Sequence, residues 1–285
     1  MVLWLKIPLV LVALGILALI LAAWIGTVIW DKSTSRLVET LSASQENHSQ
    51  DRVNFKELNS LPEPVARYFR LVLKEGQPII RSVKLSQKGE FRTRPTDKKW
   101  ANMEAVQHFT ARGRGFVWDA SIRMMPLLTV RVRDTYVKGQ GFMTAKLMSL
   151  ITVVDEHDKS ELNGAALQRY LAEAVWFPTA LLPSQGVEWS EINNHTARAT
   201  LRDYNTSVSL EFHFNQVGEI VGIYTPGRYR EVNGKYELTP WSGQYRRYEE
   251  RNGIRIPLEG EVKWELSSGS FPYWKGELVE IEYVF

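Results

Sequence analysis

From Ile7 to Trp30 the chain runs for 24 residues without a charged side chain, and nothing else in the sequence restricts its architecture so strongly. At about 1.5 Å of rise per residue, such a run makes roughly 36 Å of helix. The hydrocarbon core of a bilayer is roughly 30 Å thick, so the segment is long enough to span with some tilt. Trp4, Trp24 and Trp30 stand towards its ends, where indole rings favour the membrane interface. A cleaved signal peptide would have a shorter apolar core and a small-residue site followed by a polar mature sequence. Here Ala22-Ala23 is followed by Trp24 and more apolar residues. The expectation is a retained signal anchor over residues 1–30, with the membrane as partner of residues 7–30. Basic residues flank the span on both sides, Lys6 before it and Lys32 and Arg36 after it, so their distribution does not orient it. The default for a short, positively charged N-terminus is export of the long C-terminal part, which predicts a single-pass protein with an extracytoplasmic domain.

Charge and composition narrow what that domain does. The chain has 35 basic and 32 acidic residues, and the first 30 hold only Lys6, leaving 34 against 32. Nucleic-acid binders concentrate basic residues to neutralise phosphates, so no nucleic-acid partner is expected. Ten Trp, eleven Tyr and eleven Phe supply material for a packed core. There is no cysteine, which excludes disulfides, thiolate metal sites and a cysteine nucleophile.

After the apolar run, Asp31 to Ser60 is rich in Ser, Asn, Gln and Glu and reads as a polar linker, partly helical at most. The globular domain is expected over 61–285. It opens at Leu61-Pro-Glu-Pro64, with Val65, Phe69 and Val72 at helical spacing and proline suited to the first turn. After Gly76 the pattern turns to β. Strand-like runs cover Ile80–Leu85 continuing at 89–92, Trp100–Thr110, Phe116–Met124, Leu128–Val137 and one long run, Phe142–Val154. In Thr129-Val-Arg-Val-Arg-Asp134, alternation sends residues 130 and 132 to one face and Arg131 and Arg133 to the other. One interior helix is predicted from about Glu161 to Leu182, with an apolar stripe of Leu167, Tyr170, Leu171, Ala174 and Val175. Pro178 lacks the amide for an i−4 bond and should kink or divide it. From Val187 to Phe285 strands return, separated by turn signals such as Asn233-Gly234 and Asn252-Gly253. The predicted fold is mainly β with some helix (α+β): a long curved antiparallel sheet, or half-barrel, with the central helix on its concave face.

Motifs that would specify a reaction are missing. No nucleophile elbow, P-loop, dinucleotide fingerprint or zinc-binding His pair occurs, and the five His residues are scattered. No metal and no cofactor are expected. Asp155-Glu-His-Asp158 reads as a solvated turn. The informative segment is Arg169 to Pro183. Glu173 lies in the apolar part of its helix, so it must be paired, hydrogen-bonded or protonated. It is either a ligand-orienting or acidic group in a cavity, or half of an ion pair with Arg169 or Arg131. Trp176 and Phe177, beside Pro178, are candidates for a cavity mouth or for core. Asp119 and Asp134 are open to acid–base work if they meet, and otherwise to cross-strand pairs with Arg123, Arg131 or Arg133. Pro240-Trp-Ser-Gly-Gln-Tyr245, with Tyr248, reads as an aromatic turn and strand; Arg228 and Tyr229 are candidates for the same face, and ordinary sheet packing is the preferred reading.

Several of these segments together resemble an uncharacterised bacterial family defined as a domain of unknown function (DUF6544/DUF6920-like). They are Leu61-Pro-Glu-Pro-Val-Ala-Arg-Tyr68, Gly115-Phe-Val-Trp-Asp119, Arg133-Asp134, Arg169 to Pro183, Pro240-Trp-Ser-Gly243 and Gly253-Ile-Arg-Ile-Pro257. The helix signature Glu173-Ala-Val-Trp-Phe-Pro-Thr-Ala-Leu-Leu-Pro183 is the specific part. The resemblance implies no activity and no site residue. The predicted plan is also similar, in architecture alone, to the half-barrel of lipoprotein carriers, an analogy that does not fix function.

The leading expectation is a tethered binding or carrier module for a lipid-like or other amphipathic ligand, lined by Glu173, Trp176, Phe177, Trp118 and Arg169. The alternatives are an envelope enzyme using Glu173, Asp119 or Asp134 as acid or base, and a non-catalytic envelope scaffold. With no catalytic motif in view, the reading leans away from an enzyme.

Overall fold

The computed structural model describes residues 3–43 and 51–285. The first helix, α1 (Leu3–Ala43), does not stop where the apolar run stops. It continues through Asp31 to Ala43, so the first part of the expected 31–60 linker is helix; residues 44–50 lie outside the described residues. Only one side of α1 is covered, at Ala22, Gly26, Thr27, Trp30, Ser33, Thr34, Leu37, Val38 and Leu41. That spacing of three and four is a single helical stripe, and it packs on the sheet. Gly26 is required by this contact, since a Cβ there would stand 2.6 Å from the Ser149 carbonyl oxygen. Trp30 is corrected with it: the ring is 2% exposed and packs on the domain, away from any membrane interface. The stretch left for a membrane is the exposed part of α1 that precedes Gly26, with Trp24 exposed near its end. The side chains of Trp4 and Lys6 lie outside the described residues.

After a short 3-10 turn (Phe55–Ser60), α2 (Glu63–Val72) buries Val65, Phe69 and Val72 on one face, as its spacing predicts. The strands are β1 (Ser82–Phe91), β2 (Ala101–Thr110), β3 (Gly115–Met125), β4 (Leu128–Val137), β5 (Gln140–Leu147) and β6 (Ile151–Glu156). Helix α3 (Ser160–Glu173) and three 3-10 turns follow, and then β7 (Val187–Asn193), β8 (Thr196–Asp203) and β9 (Thr206–Phe214). The longest strands close the chain: β10 (Ile220–Val232), β11 (Lys235–Arg251), β12 (Ile254–Leu266) and β13 (Gly269–Val284).

All thirteen strands form one open antiparallel sheet, in the order 6-5-4-3-2-1-13-12-11-10-9-8-7. The chain thus starts in the middle of the sheet, meanders to one edge, crosses to the other edge, and meanders back until β13 pairs with β1. The crossing between the edges is α3 with its 3-10 turns. A connection from one edge to the other has to lie across a face, and burying its apolar stripe there makes it a plug. Where β1, β13 and β12 meet, Gly89 faces Gly276 and Gly276 faces Gly260. A Cβ on Gly276 would sit 2.3 Å from the Trp274 ring and one on Gly89 2.0 Å from the Lys275 carbonyl, so these two positions require glycine.

Three expected boundaries need correcting. The central helix ends at Glu173, not Leu182. The Pro178 ring would clash with the carbonyl of residue 174, and proline drives the preceding Phe177 out of the helical region, to φ −142 and ψ 68. The chain therefore descends through 3-10 turns at Ala174–Trp176, Pro178–Leu181 and Pro183–Gln185. The expected strand Phe142–Val154 is a hairpin, turned at Met148 and Ser149 with φ of 54 and 60. Positive φ at both central residues is the hairpin geometry usually signalled by Asn or Gly, and neither is present there. Trp241 lies in the unbroken strand β11, not in a turn.

Candidate functional site

The sheet curls far enough that residues of β3–β6 and of β10–β13 line the same cavity, about 610 Å³ in volume, with α3 along one side. Two stripes of α3 have separate duties. Leu167, Tyr170 and Leu171 go into the core. Leu162, Ala165, Ala166, Arg169, Ala172, Glu173 and then Trp176 face the cavity. The alanines matter because small side chains on that stripe leave the space unfilled. Trp118, Ile122 and Val132 form one wall, and Trp241, Val262, Trp264, Phe271 and Trp274 the other. Volume and lining are those of a small-molecule pocket, mostly apolar with a few placed polar groups.

Arg169 is the polar centre beside the first wall. Its Nη1 donates to Asp134 at 2.6 Å and its Nε to Glu173 at 2.9 Å. Its guanidinium lies 4.7 Å from the ring centre of Trp118 and 5.1 Å from that of Phe116. The other Glu173 oxygen accepts from Gln107 Nε2 at 2.7 Å. Burial holds the Glu173 carboxyl above the usual glutamate range despite these donors. The same two carboxylates hold Arg169 firmly charged, its pKa raised in spite of burial. Trp118 is fixed by its indole N–H on Gln87 Oε1 at 3.1 Å, and Trp176 by its own on the Pro257 carbonyl at 3.1 Å.

Of the five lining residues expected from sequence, Trp118, Arg169, Glu173 and Trp176 border the cavity and Phe177 does not. Phe177 is fully buried in the core, 4.7 Å from Phe109 and 5.6 Å from Tyr170 between ring centres. The proline-imposed turn rotates the chain between residues 176 and 177, and side chains that follow helical geometry up to Trp176 no longer do so. Asp119 and Asp134 do not meet. Asp134 faces the cavity opposite Trp118 in the strand pairing, while Asp119 pairs with Arg133 and points to the other face. There it takes Arg131 at 3.0 Å, the Trp30 indole at 2.8 Å and the Thr34 hydroxyl at 2.7 Å. Glu173 pairs with Arg169, one of its two expected partners.

The second wall carries a group that the sequence hinted at without resolving. Arg228 Nη1 donates to the Tyr273 hydroxyl at 3.3 Å and Nη2 to the Ala165 carbonyl at 3.2 Å. Its guanidinium lies 4.6 Å from the ring centre of Trp241 and 5.4 Å from that of Trp264. A face shared by Arg228 and the aromatic segment was the less favoured of two sequence readings, against ordinary sheet packing, and the part of Trp264 and Tyr273 was not legible at all. Among the described residues no cluster of three or more His, Asp or Glu forms a metal site. The expected acidic turn is only half a turn: Asp155 and Glu156 end strand β6 and line the cavity, with Glu156 paired to Lys159, while His157 pairs with Asp158 beyond it.

A family of unknown function, DUF6920, matches residues 59–283. No curated protein matches the chain. Among solved structures it is similar to a LolA superfamily protein from Nitrosomonas europaea, at 8% identity, covering 81% of this chain and 93% of that one with a TM-score of 0.41. It is also similar to a beta-barrel-like protein of a domain of unknown function (DUF1849) from Brucella abortus, at 9% identity, covering 73% and 99% with a TM-score of 0.29.

Proposed function

The chain belongs to DUF6920, a family of unknown function, and we propose that it is a membrane-tethered binding or carrier module for a lipid-like amphiphile, its domain on the extracytoplasmic side. The observation that carries this reading is the cavity of about 610 Å³, apolar over most of its wall and bordered by the alanine stripe of α3. A volume of that order takes a ligand of drug or single-lipid size. The anchor supports the same reading through the hairpin tips that stand near it. Thr27 of α1 hydrogen-bonds Ser149 in the β5–β6 turn, and Ile151 and Val153 just beyond are exposed. In the neighbouring β3–β4 turn, Met125 is exposed and Leu127 is 92% exposed. The β5–β6 tip adjoins the end of the candidate span, and strands β3–β6, which carry both tips, also line the cavity. An amphiphile leaving a bilayer would meet apolar surface along that route.

The acid–base reading has less support. It needs free carboxylates converging in an open cleft, whereas Asp119, Asp134 and Glu173 are each held by an arginine.

Native mass spectrometry of the full chain, purified from membranes and released from mild detergent, tests the proposal. A bound amphiphile of defined mass is expected in the wild type, and Ala165→Trp, which fills the cavity, should displace it. Equal lipid retention by a folded Ala165→Trp variant would overturn the assignment of the cavity.

A further inference from the structure

Arg169 and Arg228, two of the four arginines that line the cavity among the described residues, differ in one respect. Arg169 is matched by two carboxylates, Asp134 and Glu173. Arg228 has none among the described residues. Its side chain belongs to a residue 9% exposed, its two terminal nitrogens go to a neutral hydroxyl and a carbonyl, and its Nε–H has no acceptor. Among the described residues, no carboxylate of the cavity wall forms an ion pair with it. Glu156 goes to Lys159 and Tyr236, Glu231 to the Gly234 amide, and Glu261 to Lys275. A buried cation with a spare donor is costly unless something pairs with it. The ring faces of Trp241 and Trp264 offset part of that cost through cation–π attraction. They leave the Nε–H unmatched, because a π face above the guanidinium plane does not meet an in-plane donor.

We propose that Arg228 is the recognition point for an anionic headgroup, a carboxylate or phosphate, whose apolar tail lies among the aromatic residues of the cavity. This rests on the ligand-binding reading and deepens it: the ligand is an anionic amphiphile, not a neutral one. A carboxylate or phosphate oxygen accepting from Nε completes the donor set of Arg228 and neutralises its charge in one step, the pairing for which guanidinium is suited. Arg169, with its charge already met, serves to hold α3 to β4 and competes little for the same anion.

The test compares photoactivatable probes on the full chain in phosphatidylcholine nanodiscs. The probes are a diazirine-bearing fatty acid, its matched fatty alcohol, and phosphatidic acid and phosphatidylcholine carrying the same diazirine chain. Labelling is titrated to half-saturation and mapped to peptides. The expected result is labelling around Trp241 and Trp264, with half-saturation about tenfold or more lower for the anionic member of a pair. Arg228→Gln should abolish the difference without changing the neutral probe, and Arg228→Lys should retain part of it. Whichever anionic probe shows the larger preference, acid or phosphatidic acid, identifies the source of the anion. Equal labelling within both pairs in the wild type, acid against alcohol and phosphatidic acid against phosphatidylcholine, would overturn the proposal even if the variants failed to fold. A preference that survives in folded Arg228→Gln would also overturn it. If no probe labels the cavity, the binding reading itself fails, an outcome distinct from binding without charge preference.

Discussion

The indole N–H of Trp30 donates to the carboxylate of Asp119 at 2.8 Å, tying the anchor helix to the outer face of the sheet. Around that bond, Thr34 donates to the same carboxylate, Arg131 bridges Asp119 to Asp31, and Arg133 lies over the Trp30 ring at 4.2 Å. Further along, Leu41 packs with Val117 and Val137. The helix and the domain therefore pack as one body, with no free linker at their junction.

Docking of the helix is testable because the chain has no cysteine. The Thr27 and Ser149 hydroxyl oxygens are 3.2 Å apart, within range of a disulfide once both positions carry sulfur. The double variant Thr27→Cys, Ser149→Cys is expected to cross-link under mild oxidation and shift in gel mobility. Thr40→Cys with Ser149→Cys, whose first position is on the exposed side of α1, should not. Asp119→Ala should slow the first cross-link. No cross-link in the Thr27 pair would show that α1 is not docked.

Beside the cavity, the Asp134–Arg169–Glu173 triad predicts an asymmetric cost. Arg169→Met leaves two buried carboxylates without their cation and should lower stability by about 3–5 kcal/mol. Replacing all three by Met or Leu removes the stranded charges too and should recover much of that loss. Arg202→Met breaks an exposed pair with Glu188, worth about 0–1 kcal/mol. Thermal melts of the full chain in one detergent rank the variants. A loss at Arg169→Met no larger than at Arg202→Met would contradict the burial of the triad.

Glu173 predicts a pH dependence of known sign. Its carboxyl in the folded chain is held above the ordinary value of 4.5, chiefly by burial. Between that value and the raised one, the native state binds more protons than the unfolded state, so stability falls as pH rises. The favourable contribution is complete below the unfolded pKa and lost as pH passes the folded one. Glu173→Gln cannot titrate, and all other groups are common to both proteins. The wild-type stability minus that of Glu173→Gln should therefore decrease as pH is raised from below 4.5 towards neutrality. Melts across that range check it, and a difference that stays constant or rises would refute the raised pKa.

Much of the architecture could be read along the chain because it depends on local patterning. The apolar run marks the candidate span, and the alternation in Thr129 to Asp134 separates Val130 and Val132 from Arg131 and Arg133 as the structure does. A single helix between two strand-rich stretches points to a plug on a sheet, since an amphipathic helix and a sheet need each other's apolar face. Elsewhere local patterning was silent or misleading. Asp31 to Ala43 looked like a linker because its mean polarity is high, although Trp30, Thr34, Leu37 and Leu41 continue the helical stripe of Gly26. Met148-Ser149 carries no turn residue, and its turn conformation is sustained by the paired strands on either side.

Helix, most strands and the long apolar run were written into the order of residues, because each follows from the spacing of side chains a few positions apart. The matching of charges was settled only in three dimensions. Arg169 meets Asp134, 35 residues away, and Arg228 meets Trp264 and Tyr273 from other strands, with no carboxylate paired to it among the described residues. Pairing of that kind depends on sheet register and on the path of the crossover helix. Those are set by the packing of the whole chain, and no local window contains them.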